Sequence, residues 1–437
     1  MLRKEAYQTI LKVFKDREFS DTLLQQRAKR VVRAGENLAL FYNLVKGVVK
    51  MKGHLDHIAT HHTDPKKFAG TDIKIKILLY IGLYQLKYLD SVPEYAAVDE
   101  TVELAKETFN PTVADFVNAV LRSYQRNPEI TYPDDPIERM ALEHSYPVEL
   151  VRNWVEIWGM DDTEYMMLYF NENPATHMRV NTTATTPQKL QKYFAKRDIE
   201  IFPSGYGENM FYTHEADKVL EDVAFSEGYF SIQDSSAAMV VDYLDPQKDE
   251  NILDLFAAPG GKCTYISELM ENTGEVVAVD KIPAKMKLLK QAASRLQLTN
   301  IKQVVADAFK YGPVLPVYDR VLVDAPCSGW GVIGRKADIR WRAHENVEEL
   351  VALQEKALDM AAEFVKKDGF LIYSTCTMNP LENEAQIANF LEKNDKFKLI
   401  SAKGKVPDEC IKDGMYRSIP FKHNIDGAFA AKLQRIK

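Results

Sequence analysis

The feature that most constrains the fold is a change in hydrophobic periodicity along the chain. From about Gly228, short apolar runs alternate with amphipathic stretches of helical length, which is typical of a doubly wound α/β domain. Before residue 128, apolar side chains instead recur every three or four residues, and glycine and proline are scarce. A chain of 437 residues also exceeds one compact core, so the sequence predicts a multidomain protein.

We predict three parts. Residues 1–127 form an all-α bundle, residues 128–227 form a helical linker with a small α+β subdomain, and residues 228–437 form a Rossmann-like α/β domain. The middle part begins in a segment rich in proline and acidic residues, and its period changes to two in the HMRVN run and again in IEIF. The strands predicted for the α/β domain are residues 251–255, 275–279, 301–305, 320–323 and 370–373, and residues 402–417 are predicted to be a loop.

Acidic residues mark the ends of the first four predicted strands: Asp254, Asp280, Asp307 and Asp324. Ligands of open α/β sheets bind at the carboxyl ends of the strands. The spacing therefore predicts a ligand crevice rather than a set of surface charges.

The turn after the first of these strands reads DLFAAPGGK. It is neither a GxGxxG dinucleotide motif nor a Walker A loop, because Phe256 and Cys263 stand where the latter requires Gly and Ser or Thr. Asp280 is expected at ribose hydroxyls and Asp307 at an adenine amino group. These features favour an adenosine-type cofactor without phosphates, S-adenosylmethionine, over an α/β domain that binds no nucleotide. The predicted cofactor turn comprises Phe256, Ala257, Ala258, Pro259, Gly260, Gly261 and Lys262.

Two cysteines follow later strands of the same domain. Cys327 stands in DAPCSG and Cys376 in STCT, so both are predicted at the rim that carries the cofactor turn. A single cysteine in such a place is usually a small buried hydrophobic residue. Two thiols together suit methylation of cytosine C5, because a thiolate that adds to C6 makes C5 nucleophilic. Asp324 would stabilise charge near ring N3, and the second thiol would assist release.

These motifs resemble the RNA cytosine-C5 methyltransferases of the nucleolar-protein and Sun group. The matching runs are FAAPGGK, DAPCSG and STCT, with Asp280 and Asp307 between them, and GYFSIQDSSA, RKADIRW and DGAFAAKL around them. The resemblance implies that Cys376 is the nucleophile and that Cys327 aids product release. It also implies that residues 256–262, Asp280, Asp307 and Asp324 bind the cofactor. One departure is Phe256, where the group usually has Cys.

The helical part carries a second resemblance. VPEYAAVDETVELAK (92–106) and FVNAVLR (116–122) are similar to the NusB-type RNA-binding fold. Joined to the catalytic domain, this resembles the Sun subfamily of bacterial 16S rRNA methyltransferases. It implies a monomer that methylates cytosine 967 of 16S rRNA, naked or in an early small subunit, and needs no DNA or membrane. The strand around residue 178 resembles an RRM-like insertion, so Arg179 and Asn181 are predicted near RNA.

Positive charge is concentrated where the RNA-binding fold is predicted. Residues 1–76 contain 16 Lys and Arg against eight Asp and Glu, although the whole chain carries a net charge of −7. Such asymmetry indicates either a polyanion-binding module or a solvated basic face. His54, His57, His61 and His62 are interpreted as a solvated face rather than a metal site. Trp341 is expected either to stack on a base or to pack in the core.

The four cysteines are dispersed without a CxxC pair, which is typical of a reducing compartment. The first twenty residues contain no signal-peptide core, and the longest apolar run, residues 77–86, is about half the length that spans a bilayer. We therefore expect a cytoplasmic protein without metal. Three alternatives stay open: a related enzyme acting on another rRNA or tRNA cytosine, a non-catalytic antitermination factor, and an amino-group methyltransferase acting on DNA or protein.

Overall fold

The computed structural model describes residues 1–312, 318–342 and 345–437. The chain forms two compact units. We call Met1–Glu172 with Ile333–His344 the helical unit, and Asn173–Val332 with Glu345–Lys437 the sheet unit. The boundary between them falls at residues 172/173, so the helices after residue 128 belong with the N-terminal bundle rather than with the connector. The three-part division stays a prediction.

The helical unit begins with the predicted all-α bundle, which is confirmed. Five of the helices in this unit begin at an asparagine or aspartate whose side chain accepts a backbone N–H of the first turn: Asn37, Asp64, Asp72, Asn110 and Asp135. Apolar residues of the third and fifth helices meet in its core. The helices are α1 Leu2–Lys15, α2 Ser20–Arg33, α3 Leu38–His61, α4 Pro65–Ala69, α5 Ile73–Tyr88, α6 Glu94–Thr108, α7 Pro111–Arg126, α8 Pro136–His144 and α9 Val148–Asn171.

The helical unit also contains the segment that begins at Ile333. The Arg340 side chain is fully buried there and donates to the backbone carbonyls of Lys50 and Ser145, at 3.1 Å each. Next to it, Trp341 Nε1 donates to the Val49 carbonyl at 2.7 Å. The indole packs against buried apolar side chains of the bundle. Core packing, the second of the two roles predicted for Trp341, is therefore what the structure shows.

A small antiparallel sheet opens the sheet unit, with strand order β2-β3-β1-β4. Of the predicted IEIF strand, only residues 202–203 pair, because the preceding residues instead pack beneath the sheet. The strands are β1 Thr176–Val180, β2 Phe202–Pro203, β3 Met210–Thr213 and β4 Phe230–Ile232. The helices are α10 Pro187–Ala195, α11 Ala216–Glu221 and α12 Val223–Ser226.

The second sheet has the order β11-β12-β13-β9-β8-β5-β6-β7, with β10 paired to β13. Its strands are β5 Asn251–Leu255, β6 Glu275–Asp280, β7 Ile301–Val305, β8 Tyr318–Asp324, β9 Val365–Thr375, β10 Phe397–Ile400, β11 Ile411–Lys412, β12 Met415–Arg417 and β13 Phe429–Arg435. Its helices are α13 Ser235–Leu244, α14 Gly261–Leu269, α15 Pro283–Arg295, α16 Val347–Ala362, α17 Glu384–Lys393 and α18 Pro420–His423.

The Rossmann-like prediction is confirmed by this sheet. Strands β5 to β9 run parallel, and β5 lies between β6 and β8, so the chain order reverses there. A reversal of this kind opens a crevice at the carboxyl ends of the strands. The loop predicted at 402–417 was wrong in part: β11 and β12 form a hairpin there and extend the sheet beyond β13.

The small sheet is tied to the second sheet by a buried arginine. Arg179 on β1 is fully buried, and its Nη2 lies 2.7 Å from Glu268 Oε1 on α14. Asn181 is buried as well and donates to the Gly228 carbonyl at 2.9 Å. The prediction that these two side chains approach RNA was wrong, because both are buried and hydrogen-bonded inside the sheet unit. In the described part of the chain, no helix is long and apolar enough to cross a bilayer.

Candidate active site at the carboxyl edge of the parallel sheet

The turn that follows β5 is held by its own backbone conformation. Phe256 and Gly260 adopt left-handed φ values of 63° and 108°. The Ala257 N–H donates to the Val279 carbonyl at 3.0 Å, which draws the turn against β6. A Cβ at Gly260 would lie 2.3 Å from Leu289 Cδ1, so only glycine fits there. The turn therefore lies where the sheet reverses its order, with Pro259 and Gly261 exposed to solvent.

Two of the predicted acids flank this turn. Asp280 is buried and accepts the N–H groups of Ile282 at 2.8 Å and Ala258 at 3.3 Å. Asp307 accepts the N–H of Phe309, whose ring packs on the ring of Phe256 with centroids 5.8 Å apart. The structure thus brings both acids to the turn, as the strand spacing predicted.

The third acid, Asp254, lies in the strand beneath the turn. Its side chain is buried, and neither carboxylate oxygen has a hydrogen-bond partner among the described residues. Burial, reinforced by the charge of Asp324, raises the pKa of Asp254 well above its usual range. Gln233 Nε2 is likewise buried without a partner in that part of the chain. S-Adenosylmethionine carries ammonium, hydroxyl and amino donors together with carboxylate and ring-nitrogen acceptors, so it fits a site that offers the Asp254 carboxyl group and the Gln233 amide.

Lys262, the last residue of the predicted turn, contacts the fourth acid. Its Nζ lies 2.7 Å from Asp324 Oδ1, which also accepts the Ser374 hydroxyl at 2.9 Å. Burial by itself would lower the pKa of Lys262, but the charge of Asp324 and the hydrogen bond to it raise that pKa overall. The lysine therefore stays protonated beside the carboxylate, and it is not free to bind a phosphate.

The two cysteines meet at this edge. Cys327 follows β8 and Cys376 follows β9, and their sulfur atoms lie 3.3 Å apart. Both side chains are partly buried. The hydrogen bond with Cys376, burial and the charge of Cys376 together raise the pKa of Cys327 well above its usual value. Cys327 is therefore held as a thiol next to the Cys376 sulfur.

Sequence reasoning missed Glu382, which lies between β9 and α17. It is fully buried and accepts the N–H of Ser328, the residue after Cys327, at 2.9 Å. A glutamate in the run NPLENE is indistinguishable from a surface residue at the start of a helix, so no signal in the sequence reveals this contact.

The histidine cluster lies outside this site. His54 is buried and bonds through its ring nitrogens to the hydroxyls of Tyr88 at 2.8 Å and Tyr132 at 3.2 Å. The interpretation as a solvated face was therefore wrong for His54. No group of His, Cys, Asp and Glu within the described residues is arranged to hold a metal ion.

The parallel sheet, the strand-end acids and the open turn define an S-adenosylmethionine-dependent RNA methyltransferase. Residues 241–434 match the family model described as 16S rRNA methyltransferase RsmB/F, and residues 2–126 match the NusB family. The chain belongs to the ribosomal RNA small subunit methyltransferase B family, which confirms the resemblance noted in the sequence.

Similar proteins cover almost the whole chain. "Probable ribosomal RNA small subunit methyltransferase B" of Bacillus subtilis is 35% identical over 99% of this chain and 98% of its own length. Ribosomal RNA small subunit methyltransferase B of Vibrio cholerae is 31% identical over 91% and 89%, respectively. The crystal structure of PH0851 has a TM-score of 0.83 and 26% identity, and it covers 99% of this chain and 97% of that one.

Proposed function

We propose that the protein methylates C5 of one cytosine in 16S rRNA, cytosine 967, with Cys376 as covalent nucleophile. The observation that carries the proposal is the 3.3 Å separation of the Cys327 and Cys376 sulfur atoms at the edge that carries the cofactor turn. Methylation at C5 needs one sulfur atom to attack the ring, and the second sulfur atom assists when the first one leaves the ring.

The first step is addition of the Cys376 thiolate to C6 of the cytosine. Negative charge then develops toward N3 and the exocyclic oxygen, and the Lys262–Asp324 pair holds a proton that can be shared with N3. Ser374 keeps the Asp324 carboxylate in this orientation. The addition makes C5 nucleophilic, so the ring can accept a methyl group from the face opposite the thiol.

S-Adenosylmethionine supplies that methyl group when it is bound. The residues that would hold it are Phe256, Ala257, Ala258, Pro259, Gly260, Gly261, Lys262, Asp280, Asp307 and Asp324, with Asp254 beneath them. Water then takes the C5 proton, the C5–H electron pair re-forms the C5–C6 double bond, and the C6–S bond breaks and returns its electron pair to Cys376. Cys327, which is held as a thiol, lies within reach of that sulfur during its departure.

Substrate binding is assigned to the NusB-like helical part and its excess of positive charge. Because Cys376 and the methyl donor attack opposite faces, the target base must leave its stack before it reacts. We further propose that the enzyme works as a cytoplasmic monomer on naked rRNA or an early small subunit.

The proposal is tested with labelled S-adenosylmethionine and, in separate reactions, unmodified 16S transcript and unmodified tRNA, followed by digestion of the RNA to nucleosides. Label in 5-methylcytidine is expected, and mapping should then place it at cytosine 967. Label in another nucleoside would overturn the thiol chemistry. Label on cytosines of tRNA only would overturn the substrate.

The two cysteines are tested separately in the same assay. Cys376→Ala removes the nucleophile and should lower turnover by at least about a thousandfold. Cys327→Ala leaves addition possible but slows release, so it should accumulate an RNA–protein adduct that survives denaturant. Normal turnover in the first variant would exclude Cys376 as the nucleophile, and absence of an adduct in the second would exclude Cys327 from release.

A further inference from the structure

Glu382 is a fully buried carboxylate whose bonding is saturated by neutral donors. One oxygen accepts the Ser328 N–H and the Gln354 amide, both at 2.9 Å. The other accepts the Ser328 hydroxyl and the Asn379 amide, the latter at 3.1 Å. No ion pair of Glu382 with a cation occurs within the described residues. Since burying an unpaired carboxylate costs free energy, four donors aimed at one group indicate a specific task.

The contacts of this carboxylate lead to the loops of both cysteines. Ser328 follows Cys327, and Gln354 also donates to the carbonyl of Pro326, which precedes Cys327, at 2.9 Å. Glu382 and Gln354 thus hold the chain on both sides of Cys327. The Ser328 hydroxyl also lies 2.8 Å from the hydroxyl of Thr377, the residue after Cys376. One network therefore spans both cysteine loops.

The network is attached to a helix and to a strand of the sheet unit. Gln354 lies in α16, and Tyr373 of β9 donates from its hydroxyl to the Glu382 carbonyl at 2.6 Å. The positions of Cys327 and Cys376 relative to each other are therefore determined by a side chain that touches neither sulfur.

We propose that Glu382 is a positioning residue that holds Cys327 against Cys376 and thereby sets the rate at which the methylated RNA is released. This rests on the proposed function, because it assigns Glu382 to the release step of that reaction. The negative charge of Glu382 acts in the same direction as the geometry. It adds to the larger effects of Cys376 and burial that raise the pKa of Cys327 and keep the proton on that sulfur.

Glu382→Gln tests the proposal with little change of shape. The new amide places an NH₂ group against two of the four donors, so about half of the network is lost. We expect kcat to fall about ten- to a hundredfold. The KM for RNA and the Kd for S-adenosylmethionine should stay unchanged, and a denaturant-resistant RNA–protein adduct should accumulate. A merely structural role would not produce the adduct.

Glu384→Gln is the matched control. It makes the same substitution two residues later, in a side chain paired with Arg417 at 3.6 Å and outside the network, and it should behave like the wild type. Ser328→Ala is the second variant, because it removes one hydroxyl donor without creating a clash. It should accumulate the adduct to a smaller extent, and it decides the question if Glu382→Gln does not fold.

Two results would overturn the proposal. Wild-type kcat and adduct level in both variants would mean that the network does not act on release. A fall in kcat without adduct would mean that Glu382 serves the attack of Cys376 instead. Failure of the proposed function is distinguishable from both, because the wild-type enzyme would then form no 5-methylcytidine at all.

Discussion

The cofactor turn after β5 and the cysteine loop after β8 lie at the same edge of one sheet, but they are held in different ways. The turn depends on backbone conformation, with Phe256 and Gly260 in the left-handed region and small residues between them. The cysteine loop depends on side chains and backbone from other parts of the chain, above all Glu382, Gln354 and Gly427. A turn whose shape depends on its own residues can be recognised as a motif in the sequence. The distant residues that support the cysteine loop cannot be recognised in this way.

The contrast has a physical origin. The turn must leave its backbone open to a ligand, so bulky supports around it are excluded and glycine supplies the shape. The loop must fix two sulfur atoms to within a fraction of an ångström, and this requires packed and hydrogen-bonded neighbours. Even the turn has one remote tie, since Arg179 Nη1 donates to the Gly261 carbonyl at 3.0 Å.

The largest effect is expected from Gly331→Ala in the cysteine loop. The Gly331 N–H donates to the Cys376 carbonyl at 3.0 Å, and an added Cβ would lie 2.0 Å from the Gly427 carbonyl oxygen. We expect the free energy of unfolding to fall by about 1–3 kcal/mol. The kcat should fall about tenfold because the Cys376 loop shifts. The Kd for S-adenosylmethionine should not change.

Urea unfolding, single-turnover kinetics and calorimetry measure these three quantities. Gly312→Ala is the control, because a Cβ there meets nothing within 4 Å. A loss of cofactor affinity equal to the loss of kcat would show that the cysteine loop and the cofactor turn are not independent, which would contradict the view that they are held in different ways.

A complementary effect, on cofactor affinity instead of turnover, is expected from Gly260→Ala in the cofactor turn. An alanine at this position would have to adopt the φ of 108°, and its Cβ would meet Leu289. Together these strain the backbone of the variant by about 1–3 kcal/mol. The variant should relieve this strain by shifting the turn from its present conformation, so the Kd for S-adenosylmethionine should rise about tenfold. Adduct formation by a Cys327→Ala background should persist at saturating cofactor.

Calorimetric titration checks the affinity. Gly404→Ala is the matched control, since Gly404 also has a left-handed φ, 78°, but open space where the Cβ would stand. It should lose stability without losing cofactor affinity. Equal Kd values for the Gly260 variant and the wild type would mean that contacts from other parts of the chain, and not its own backbone conformation, hold the turn.

An effect on the pH dependence of folding stability is expected from Asp254→Asn. Because burial raises the pKa of Asp254 in the folded protein, the folded state binds the proton more tightly than the unfolded state does. The resulting stability is fully present below the unfolded pKa of about 4 and is lost as the pH rises toward the folded pKa. The wild type should therefore lose up to about 1.4 kcal/mol per pH unit over this window relative to the variant.

Urea unfolding of both proteins between about pH 4 and about pH 8 without cofactor measures the difference. Parallel stability curves would show that Asp254 is not an unpartnered buried acid, and would weaken the case that the site is built to receive donors from a ligand.

Local patterns predicted most of the parallel sheet. The five predicted strands lie within β5 to β9. Apolar runs buried on both faces account for β5, β6, β8 and the second half of β9, whereas β7 at the edge of the sheet is only partly buried. The antiparallel extension was missed in the sequence, since β11 and β12 are only two and three residues long and are separated by Asp413 and Gly414; β11 pairs with β12, and β12 pairs with β13. Arg179 was misassigned because the alternation of a strand does not reveal what its buried face contacts.

What the sequence alone determined is the set of local constraints: the change of period, the acids at the strand ends, the glycine turn and two cysteines that follow parallel strands. These depend on neighbours in the chain, so they are readable along it. Tertiary structure alone decided that the sulfur atoms lie 3.3 Å apart, that Lys262 pairs with Asp324, and that Glu382 lies beneath the cysteine loop. Such contacts join residues far apart in sequence, and only the packing of strands and helices brings them together.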